Sequence, residues 1–317
     1  MPNSIWTPPI KQPGTWKSRY GPDGIHLFDR RTGVSILVDE VIPPKSVWSP
    51  APRQISIALT NACDLDCPFC YAPKHNAQLS LSFLMDWLVE LDQNGCLSVG
   101  LGGGEPTLFR HLAAVCEFAA KKTRLAVTMT THAHRLNEIL AHSLSGNVHF
   151  IRVSIDGVGT TYERLRGKSF ASLLRQLDII HQIAPFGINV VVNEATITDL
   201  DELIRLAEHS KASELLLLPE QPVRGCGGID CHTMHRLRQW IEKYSAMVPL
   251  RVSQSHSEGM PICDPLPQET GLRSYAHIDA SGILRSSSYA QSGVQVNDAG
   301  IMVSLRTLRQ QLGETSQ

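Results

Sequence analysis

The chain has 317 residues, and its 29 Lys and Arg residues against 30 Asp and Glu residues give a formal net charge of −1 at pH 7. This balance, together with the lack of an arginine-rich tract, excludes a general affinity for nucleic acid or for an anionic membrane. The length suits one large domain with a small appendage, and 42% hydrophobic residues are enough for a sizeable core.

The sequence shows no pattern typical of a secreted or membrane-spanning protein. The N-terminus has no basic region followed by an apolar run. The longest apolar stretch, near Leu215–Leu218, is far shorter than the ~20 residues that span a bilayer. We therefore predict a cytoplasmic location, where neighbouring cysteines stay reduced.

Residues 1–52 predict a small β-ribbon that covers one end of the main domain. Hairpin-like segments at 24–29 and 34–39 are joined by a turn at Thr32-Gly33. The region is short for a winged-helix module that binds a leader peptide, and it lacks the helical pattern that such a module needs.

From residue 53 onwards, strand-like and helix-like segments alternate. The predicted strands are 54–59, 97–101, 125–130, 149–155, 188–192 and 214–218. The predicted helices are 80–94, 107–121, 134–144, 170–183, 199–209 and 230–247. This alternation predicts an α/β fold with a parallel sheet. Since six units are too few for a closed eight-stranded barrel, we predict a partial (β/α)6 TIM-like barrel over residues 53–249.

Residues 250–317 break this rhythm and predict a small C-terminal extension. A hairpin is expected around 280–282 and a terminal helix around 304–312, with 315–317 frayed.

Three cysteines, Cys63, Cys67 and Cys70, follow the first predicted strand with the spacing C-x3-C-x2-C. A cubane iron–sulfur cluster has four irons that are usually bound by cysteine thiolates. Three thiolates therefore leave one iron open to bind and activate a small molecule. A structural zinc site commonly uses two C-x2-C pairs, whereas only Cys67 and Cys70 form one here. A zinc site and unrelated core cysteines remain open alternatives at this point.

Glycines and hydroxyl side chains collect at the ends of the next predicted strands. Gly102–Gly104 and Glu105 follow the second strand, Thr130 ends the third and Ser154 ends the fourth. Ligands of parallel α/β barrels bind at the carboxyl ends of the strands, so these residues should share a rim with the cysteine loop. A glycine turn between strand and helix, and hydroxyls that cap helices, are the structural alternatives.

The cysteine loop and the Gly103-Gly104-Glu105 turn together resemble the signature of the radical S-adenosylmethionine (SAM) superfamily over roughly residues 53–220. The resemblance implies the same partial barrel and one [4Fe–4S] cluster on the three cysteines. It also implies reductive cleavage of SAM to methionine and a 5′-deoxyadenosyl radical, which abstracts a hydrogen atom from a substrate. A low-potential electron donor, ferredoxin or flavodoxin, is then expected.

The same resemblance implies contacts with SAM. The glycine turn and Glu105 would hold the amino group, Arg110 would contact the carboxylate, and Thr130 and Ser154 would bind the carboxylate and ribose. Arg166 would approach the cofactor or substrate, or form an ion pair at the surface. The predicted cofactor-binding residues are Phe69, Gly103, Gly104, Glu105, Arg110, Thr130, Ser154 and Arg166.

The segments around Asp156-Gly157 and Arg166-Gly167 resemble the molybdenum-cofactor and peptide-maturase (SPASM/twitch) branches of the superfamily. After the third strand this chain has Thr130-Thr131-His132, where those branches usually have Thr-Asn-Gly. This departure leaves the detail of that loop open. His132 and His134 are candidates for proton transfer, although we expect them in a solvated loop.

Those branches often carry further clusters on C-terminal cysteines. Here serines 286–288 stand where a cysteine ligand is expected after the hairpin, and Cys226, Cys231 and Cys263 are too few for a second cluster. We predict a degenerate cluster region that shapes the substrate site, and one cluster in total. Cys231 and Cys263 are candidate hydrogen-atom donors, with incidental cysteines as the alternative. Cys96 and Cys116 are expected in the core.

The predicted function is that of a radical SAM enzyme acting on an unidentified small molecule, because no leader-binding module or extra cluster is expected. A peptide or protein substrate is the alternative within this class. An alternative of another class is a non-catalytic iron–sulfur or zinc sensor. The glycine turn argues against that alternative, because a sensor needs no site for the methionine part of SAM.

Overall fold

The computed structural model describes residues 14–223, 227–246, 249–253 and 257–314. Residues 1–13 of the predicted ribbon region therefore lie outside the described residues. The same holds for Cys226, for residue 247 at the end of the last predicted helix, and for the predicted frayed end at 315–317.

The N-terminal region forms a three-stranded antiparallel sheet in the order β1 (Trp16–Gly21), β2 (Gly24–Asp29) and β3 (Ser35–Val38). The β2–β3 hairpin lies where the sequence predicted it. β1 was not predicted, because its inward-facing positions are occupied by charged residues: Lys17 and Arg19 are 3% and 2% exposed. This strand therefore has no apolar alternation for the pattern to reveal.

The main sheet contains six parallel strands that are neighbours in chain order. They are β4 (Gln54–Thr60), β5 (Ser98–Gly103), β6 (Ala126–Thr131), β7 (Phe150–Ser154), β8 (Phe186–Val192) and β9 (Leu215–Pro219). β10 (Leu250–Val252) adds to β9 in parallel orientation, so it is one edge of the sheet in the described chain. The six predicted strands and the open, mostly parallel α/β architecture are confirmed.

The C-terminal extension continues this sheet. β11 (Tyr275–Ile278) pairs in parallel with β4, and β12 (Ile283–Arg285) and β13 (Val294–Gln295) follow in antiparallel orientation. The β11–β12 connection is the hairpin predicted around 280–282, with Gly282 N donating to Asp279 O at 2.9 Å. The hairpin therefore lies directly beside the strand that leads into the cysteine loop.

The helices surround the sheet. They are α1 (Leu81–Gln93), α2 (Leu112–Lys122), α3 (Glu138–Leu144), α4 (Gly159–Arg166), α5 (Phe170–His181), α6 (Leu200–His209), α7 (Cys231–Tyr244), α8 (Gly271–Ser274) and α9 (Ile301–Gln311). None of the described helices is long and apolar enough to cross a membrane.

Two helices differ from the sequence prediction. α2 begins five residues later than predicted, because Pro106–Leu108 forms a separate 3-10 turn and Glu105 caps Thr107 N. α4 was missed because its apolar content is low and only Tyr162 among its residues is buried. Both differences lie in segments that follow the carboxyl ends of strands. There, local contacts rather than the hydrophobic period determine where a helix begins.

The core lies between the sheet and the helices. Leu84, Leu88 and Leu91 of α1 are fully buried, at the helical spacing that the sequence predicted. Fully burying each such side chain contributes roughly 1.5–3 kcal/mol. Cys96 and Cys116 are also fully buried, which confirms their assignment to the core.

The N-terminal sheet attaches at the amino ends of the barrel strands. Arg19 donates to Ala51 O (2.9 Å) and Gly95 O (3.0 Å), just before β4 and β5. Arg30 donates to Leu125 O (3.2 Å), just before β6. The carboxyl ends of the strands, at the opposite end of the barrel, are thus left for the loops that contain the predicted site.

Candidate functional site

The cysteine loop leaves the carboxyl end of β4. Backbone hydrogen bonds from Asn61 N to Ala77 O (2.9 Å) and from Leu79 N to Leu59 O (3.0 Å) close its two ends against each other. Residues 61–78 therefore form a closed loop on the rim of the barrel, and its position is fixed by the strand.

The three predicted cysteines lie together within this loop. Cys67 packs with Leu65 and Phe69, and Cys63 and Cys70 contact the same small apolar cluster. Cys70 N donates to Cys67 O at 3.2 Å, which folds the C-x2-C segment into a turn. Burial is the main reason that the pKa values of the Cys63 and Cys67 thiols lie above the ordinary value.

This donor set fits an iron–sulfur cluster with one open iron. Three soft sulfur ligands meet in one apolar environment, and within the part of the chain that the structure describes the cluster contains no fourth cysteine. Ligand atoms of Cys63, Asp64 and His132 also lie within 4.8 Å of one another. However, Asp64 and His132 already hydrogen bond to each other at 2.9 Å. They are therefore engaged side chains rather than a free pair of zinc ligands.

Arg166 supports the cysteine loop from the side. Its guanidinium group forms an ion pair with the fully buried Asp156, lies 3.5 Å from Cys67 Sγ and stacks over the Phe69 ring at 5.6 Å. The ion pair expected at the surface is present, but it is buried: the Arg166 side chain is only 12% exposed. Arg166 therefore places a positive charge beside a predicted cluster ligand.

The glycine turn packs against the start of the cysteine loop. Gly104 N donates to Thr60 O (2.7 Å) and Glu105 N donates to Ala62 O (2.8 Å). A Cβ atom on Gly103 or Gly104 would lie 2.3 Å from a backbone oxygen of Thr60 or Ala62. These glycines were expected to admit a ligand to backbone amides. Here they admit the backbone of the neighbouring loop, whereas a Cβ atom on Gly102 would meet open space.

Glu105 is the most deeply buried of the predicted cofactor-binding residues. It is 1% exposed, and its Oε1 accepts hydrogen bonds from Thr107 N, Thr107 Oγ1 and Thr131 Oγ1 at 2.7–3.1 Å. Its Oε2 accepts a bond from His132 N at 3.0 Å. The carboxylate therefore joins the β5 and β6 loops, and its expected contact with the ammonium group of SAM stays a prediction.

The remaining predicted cofactor residues divide into two groups. Thr130 is exposed and Ser154 is half-buried at the ends of β6 and β7, and neither hydroxyl hydrogen bonds to another described residue. Both are therefore available to a ligand on the rim. Arg110 is exposed, donates to His111 Nε2 at 2.7 Å and precedes α2, so the structure does not bring it into the cysteine cluster.

The histidines after β6 were wrongly expected in a solvated loop. His132 is 4% exposed and binds Asp64, while His134 Nε2 lies 2.8 Å from the Tyr162 hydroxyl. Burial lowers the pKa of His134 to about 4. One feature of the sequence could have indicated this burial. Thr131-His132 stands where related branches usually have Asn-Gly, and both residues hydrogen bond to the carboxylate of Glu105.

A cavity of about 190 Å³ lies between the rim and the C-terminal hairpin. Its lining residues are Ala58, Asn61, Tyr71, Ala72, Pro73, Gly103, Pro222, Val223, His277, Asp279, Arg285, Ser288, Tyr289, Ala290 and Gln291. One wall thus belongs to the cysteine loop and glycine turn, and the opposite wall belongs to the C-terminal extension.

The hairpin wall is held by Arg285. The Arg285 guanidinium pairs with Asp279 (3.0 Å) and donates to the carbonyl oxygens of Ala290 and Gln291. Serines 286–288 lie in the loop that these bonds close. The hairpin therefore keeps its shape through an ion pair, at the place where related branches are expected to use a cluster ligand.

The cysteines that were predicted as hydrogen-atom donors are not at this cavity. Cys231 and Cys263 both belong to the described chain, both are exposed, and neither is among the residues that line the cavity. Their role as hydrogen-atom donors therefore has no support from the cavity lining and stays a prediction.

A family model for the radical SAM superfamily matches residues 57–207, which include the three cysteines and the glycine turn. The maturation protein SkfB for the sporulation killing factor of Bacillus subtilis is 26% identical over 180 residues, which are 53% of this chain and 42% of that protein. A probable GTP 3′,8-cyclase of Saccharolobus solfataricus is 27% identical over 206 residues, which are 61% of this chain and 66% of that protein. The chain thus spans less than two thirds of either relative.

Among solved structures, Streptococcus suis SuiB bound to SAM superposes with a TM-score of 0.71 over 90% of this chain and 85% of SuiB, at 15% identity. SuiB bound to the precursor peptide SuiA gives a TM-score of 0.67 over the same shares, at 14% identity. This likeness shows the fold, and it confirms the predicted partial barrel architecture.

Proposed function

This chain belongs to the radical SAM superfamily, and from that premise we propose that it is an enzyme that cleaves SAM reductively and abstracts a hydrogen atom from a substrate. The observation that supports the proposal most is the packing of Cys63, Cys67 and Cys70 in one apolar loop cluster against the glycine turn. Three thiolates in one loop that packs against the glycine turn suit a cluster that keeps one iron for SAM.

A bound [4Fe–4S] cluster would supply the electron that splits SAM into methionine and a 5′-deoxyadenosyl radical. The protein holds the reactants in place. The three cysteines would bind the cluster, and Arg166 lies 3.5 Å from the Cys67 sulfur, where a positive charge favours the thiolate. The free hydroxyls of Thr130 and Ser154 offer hydrogen bonds to the polar groups of SAM.

Glu105 has an indirect part in this proposal. Because its carboxylate bonds to Thr107, Thr131 and His132, it fixes the glycine turn relative to the end of β6. Catalytic geometry of this kind depends on residues whose own positions are locked by hydrogen bonds. Glu105 is therefore a positioning residue.

The cavity is the proposed substrate site, because Gly103 of the turn and Tyr71 of the cysteine loop line its wall. Its volume of about 190 Å³ suits a small molecule, which remains our first candidate. A side chain of a peptide is the second candidate. It is supported by the similarity to the maturation protein SkfB and to SuiB, which was solved with its precursor peptide.

An external one-electron donor completes the proposal. A low-potential ferredoxin or flavodoxin suits the reduction of SAM, and the cytoplasmic location predicted from the sequence would keep the thiols reduced.

Anaerobic reconstitution with iron and sulfide, followed by SAM and dithionite, tests the proposed activity. We expect 5′-deoxyadenosine and methionine in equal amounts from the wild-type chain, and none from Cys63→Ser. A protein that binds SAM without cleaving it would instead be a sensor. A protein purified anaerobically with stoichiometric zinc in this loop would refute the cluster.

The substrate class is tested by adding low-molecular-mass metabolites or peptides from the source cells to the reconstituted protein. A substrate should accelerate the formation of 5′-deoxyadenosine and receive or lose label at one carbon. Acceleration by the metabolite fraction alone would support a small molecule, and acceleration by the peptide fraction alone would support the second candidate.

A further inference from the structure

Arg166 and Asp156 form a buried ion pair next to the cysteine loop. Asp156 follows the end of β7, Arg166 is the last residue of α4, and their side chains are 1% and 12% exposed. Arg166 Nε donates to Asp156 Oδ2 at 2.6 Å. The other carboxylate oxygen, Oδ1, accepts a hydrogen bond from Val191 N of β8 at 2.6 Å. The carboxylate is therefore fixed to the sheet, and it fixes the guanidinium group in turn.

The guanidinium group of Arg166 has a carboxylate on one edge and a sulfur atom at its remaining nitrogen. Nε and Nη2 contact the carboxylate of Asp156, whereas Nη1 donates to Cys67 Sγ at 3.5 Å. The group also lies 5.6 Å from the centroid of the Phe69 ring. The ion pair is thus oriented: its positive end contacts a predicted cluster ligand, and its negative end contacts the guanidinium group and the backbone of β8.

The hydrogen bond to Cys67 differs in charge from the one to Cys63. Cys63 Sγ accepts a hydrogen bond from Leu65 N at 3.4 Å, and a backbone amide carries no formal charge. Cys67 Sγ accepts its bond from a cation, and Cys67 is only 5% exposed. A full positive charge therefore acts on this ligand from a place that water screens little.

A positive charge at this place affects the electron that a bound cluster accepts. Reduction adds one negative charge to the cluster, and its potential depends on charges and hydrogen bonds around the sulfur ligands. The interaction between charges falls with distance and is strongest in an apolar environment, such as the one that Leu65 and Phe69 form around Cys67. Since the guanidinium group is the part of the ion pair that contacts Cys67, its positive charge should outweigh the carboxylate behind it.

We propose that Arg166 acts through Cys67 to raise the reduction potential of the bound cluster, and that Asp156 holds Arg166 in place and limits the rise. Arg166 is thus a positioning residue, and this proposal rests on the proposed radical SAM function. The step that it favours is the transfer of one electron from the ferredoxin or flavodoxin to the cluster. The donor is oxidised, the cluster is reduced, and no bond of the protein forms or breaks.

The opposed charges suit two demands on this electron. A higher potential makes the cluster easier to reduce, whereas a lower potential makes its electron more effective in cleaving SAM. An unpaired guanidinium group would serve the first demand at the expense of the second. The carboxylate of Asp156, bonded to Arg166 Nε, partly cancels that charge.

A redox titration of reconstituted protein without SAM tests the proposal, with the electron paramagnetic resonance signal of the reduced cluster as the readout. The potential should be highest in Asp156→Asn, followed by wild type, then the double variant that combines Arg166→Met with Asp156→Asn, and lowest in Arg166→Met. We expect reduction at a fixed applied potential to be about tenfold less favourable in Arg166→Met than in wild type, which corresponds to about 59 mV for one electron.

The double variant keeps the test decisive if Arg166→Met folds poorly. Removing Arg166 alone leaves the buried carboxylate of Asp156 without its ion-pair partner, which is strongly destabilising. The double variant removes both charges, and the amide oxygen that replaces the carboxylate oxygen can still accept from Val191 N. Its potential should lie below that of wild type, because the nearer charge of the pair is the positive one. A potential at or above wild type would contradict the proposal.

Two further variants serve as controls. Arg166→Lys keeps the positive charge, so its potential should lie closer to wild type than that of Arg166→Met. Arg19→Met removes a buried guanidinium group that also pairs with a buried carboxylate, that of Glu269, but at the opposite end of the barrel. Its folded fraction should have the wild-type potential. A shift in Arg19→Met as large as that in Arg166→Met would show that general loosening of the fold, and not the local charge, moves the potential.

A second measurement detects the contact itself. Pulsed electron paramagnetic resonance of the reduced cluster, in protein that contains [¹⁵N]arginine, should show coupling to guanidinium ¹⁵N nuclei. The coupling should disappear in Arg166→Met and in Arg166→Lys, and it should persist in Arg19→Met. A wild-type protein without this coupling would overturn the contact on which the proposal depends.

The possible outcomes separate this proposal from the proposed function. A wild-type cluster that cleaves SAM, with the same potential in wild type, Arg166→Met and the double variant, overturns the role of Arg166 and leaves the activity intact. The expected order of potentials in a protein that forms no 5′-deoxyadenosine from SAM and dithionite supports the effect of Arg166 on the cluster and overturns the proposed function. Wild-type protein that assembles no [4Fe–4S] cluster overturns both.

Discussion

The two ends of the barrel are both rich in polar side chains, but they use them differently. At the amino end, Arg19 bonds to Glu269 and three backbone oxygens, and Arg30 bonds to three more. At the carboxyl rim, the hydroxyls of Thr130, Ser154, Tyr71 and Tyr289 bond to no other described residue. At the amino end the two buried guanidinium groups are fully paired, although Asp23 Oδ2 and His26 Nδ1 are buried without a partner among the described residues. At the rim, the unpaired hydroxyls are exposed or half-buried.

This difference follows from the energetics of desolvation. A buried charge without a partner costs several kcal/mol, so the buried guanidinium groups of the amino end need partners within the protein. An end that receives a ligand keeps some of its groups for that ligand. Accessible hydroxyls without a partner in the protein therefore indicate that the carboxyl rim can receive a ligand.

The largest effect that we predict is the loss of the cluster when one of the three rim cysteines is replaced. Cys63→Ser, Cys67→Ser or Cys70→Ser should abolish cluster assembly and SAM cleavage, because a neutral serine hydroxyl is a poor ligand for iron. Iron and sulfide content per chain after reconstitution is the measurement. The exposed Cys231 is the control: Cys231→Ser should bind as much iron as wild type. Full iron content in a Cys63 variant would contradict the assignment.

The next largest effect is a loss of stability caused by a substitution at the amino end of the barrel. This substitution should leave the chemistry at the rim intact. Arg19→Met removes a 2%-exposed guanidinium and leaves the buried Glu269 with the partly exposed Arg53 as its remaining ion-pair partner. We expect a loss of about 3 kcal/mol in the free energy of unfolding, measured by urea denaturation.

The control for Arg19 is an exposed pair. Lys121 and Glu117 are each more than half exposed, so Lys121→Ala should cost about 0.5 kcal/mol or less. If Arg19→Met cost as little as Lys121→Ala, the N-terminal sheet would not be a structural element of the fold. The folded fraction of Arg19→Met should still cleave SAM.

A smaller effect distinguishes two glycines of one turn. In Gly104→Ala the new Cβ would lie 2.3 Å from Ala62 O, so the cysteine loop must shift, whereas in Gly102→Ala it meets nothing within 4 Å. We expect Gly104→Ala to lower the free energy of unfolding of the cluster-free protein by about 2 kcal/mol. Gly102→Ala should stay within roughly 0.5 kcal/mol of wild type. Equal losses would show that the turn is not packed against this loop.

The smallest effect concerns pH. Burial is the main reason that the pKa of His277 falls to about 4, with Arg285 acting in the same direction and Asp279 against it. Between the ordinary pKa of 6.5 and about 4, the unfolded chain binds a proton that the folded chain does not. Stability should therefore decrease as the pH falls through this window, by roughly 1–2 kcal/mol from His277.

Urea titrations at pH 7 and pH 5 measure this contribution. His277→Gln should lose less stability between the two pH values than wild type does. The exposed His142 provides the control, since His142→Gln should keep the wild-type pH dependence. An unchanged pH dependence in His277→Gln would contradict a neutral His277 in the cavity wall.

The sequence by itself determined the strand–helix alternation, the open α/β sheet and the loop that holds Cys63, Cys67 and Cys70. These features depend on neighbours within a few residues, either as hydrophobic periodicity or as ligand spacing. The sequence did not predict β1 or α4. β1 buries charged residues, and α4 buries only one residue. In both cases the local pattern has no apolar period to detect.

Only the tertiary structure decided which polar groups are satisfied and which are free. Arg19 and Glu269 are 250 positions apart, and Tyr71 meets Tyr289 across a similar separation. Glu105 could be assigned to SAM from its motif, yet its carboxylate is filled by donors from its own loop and the next strand. Partners of this kind come together through folding of the whole chain, so no local periodicity records them.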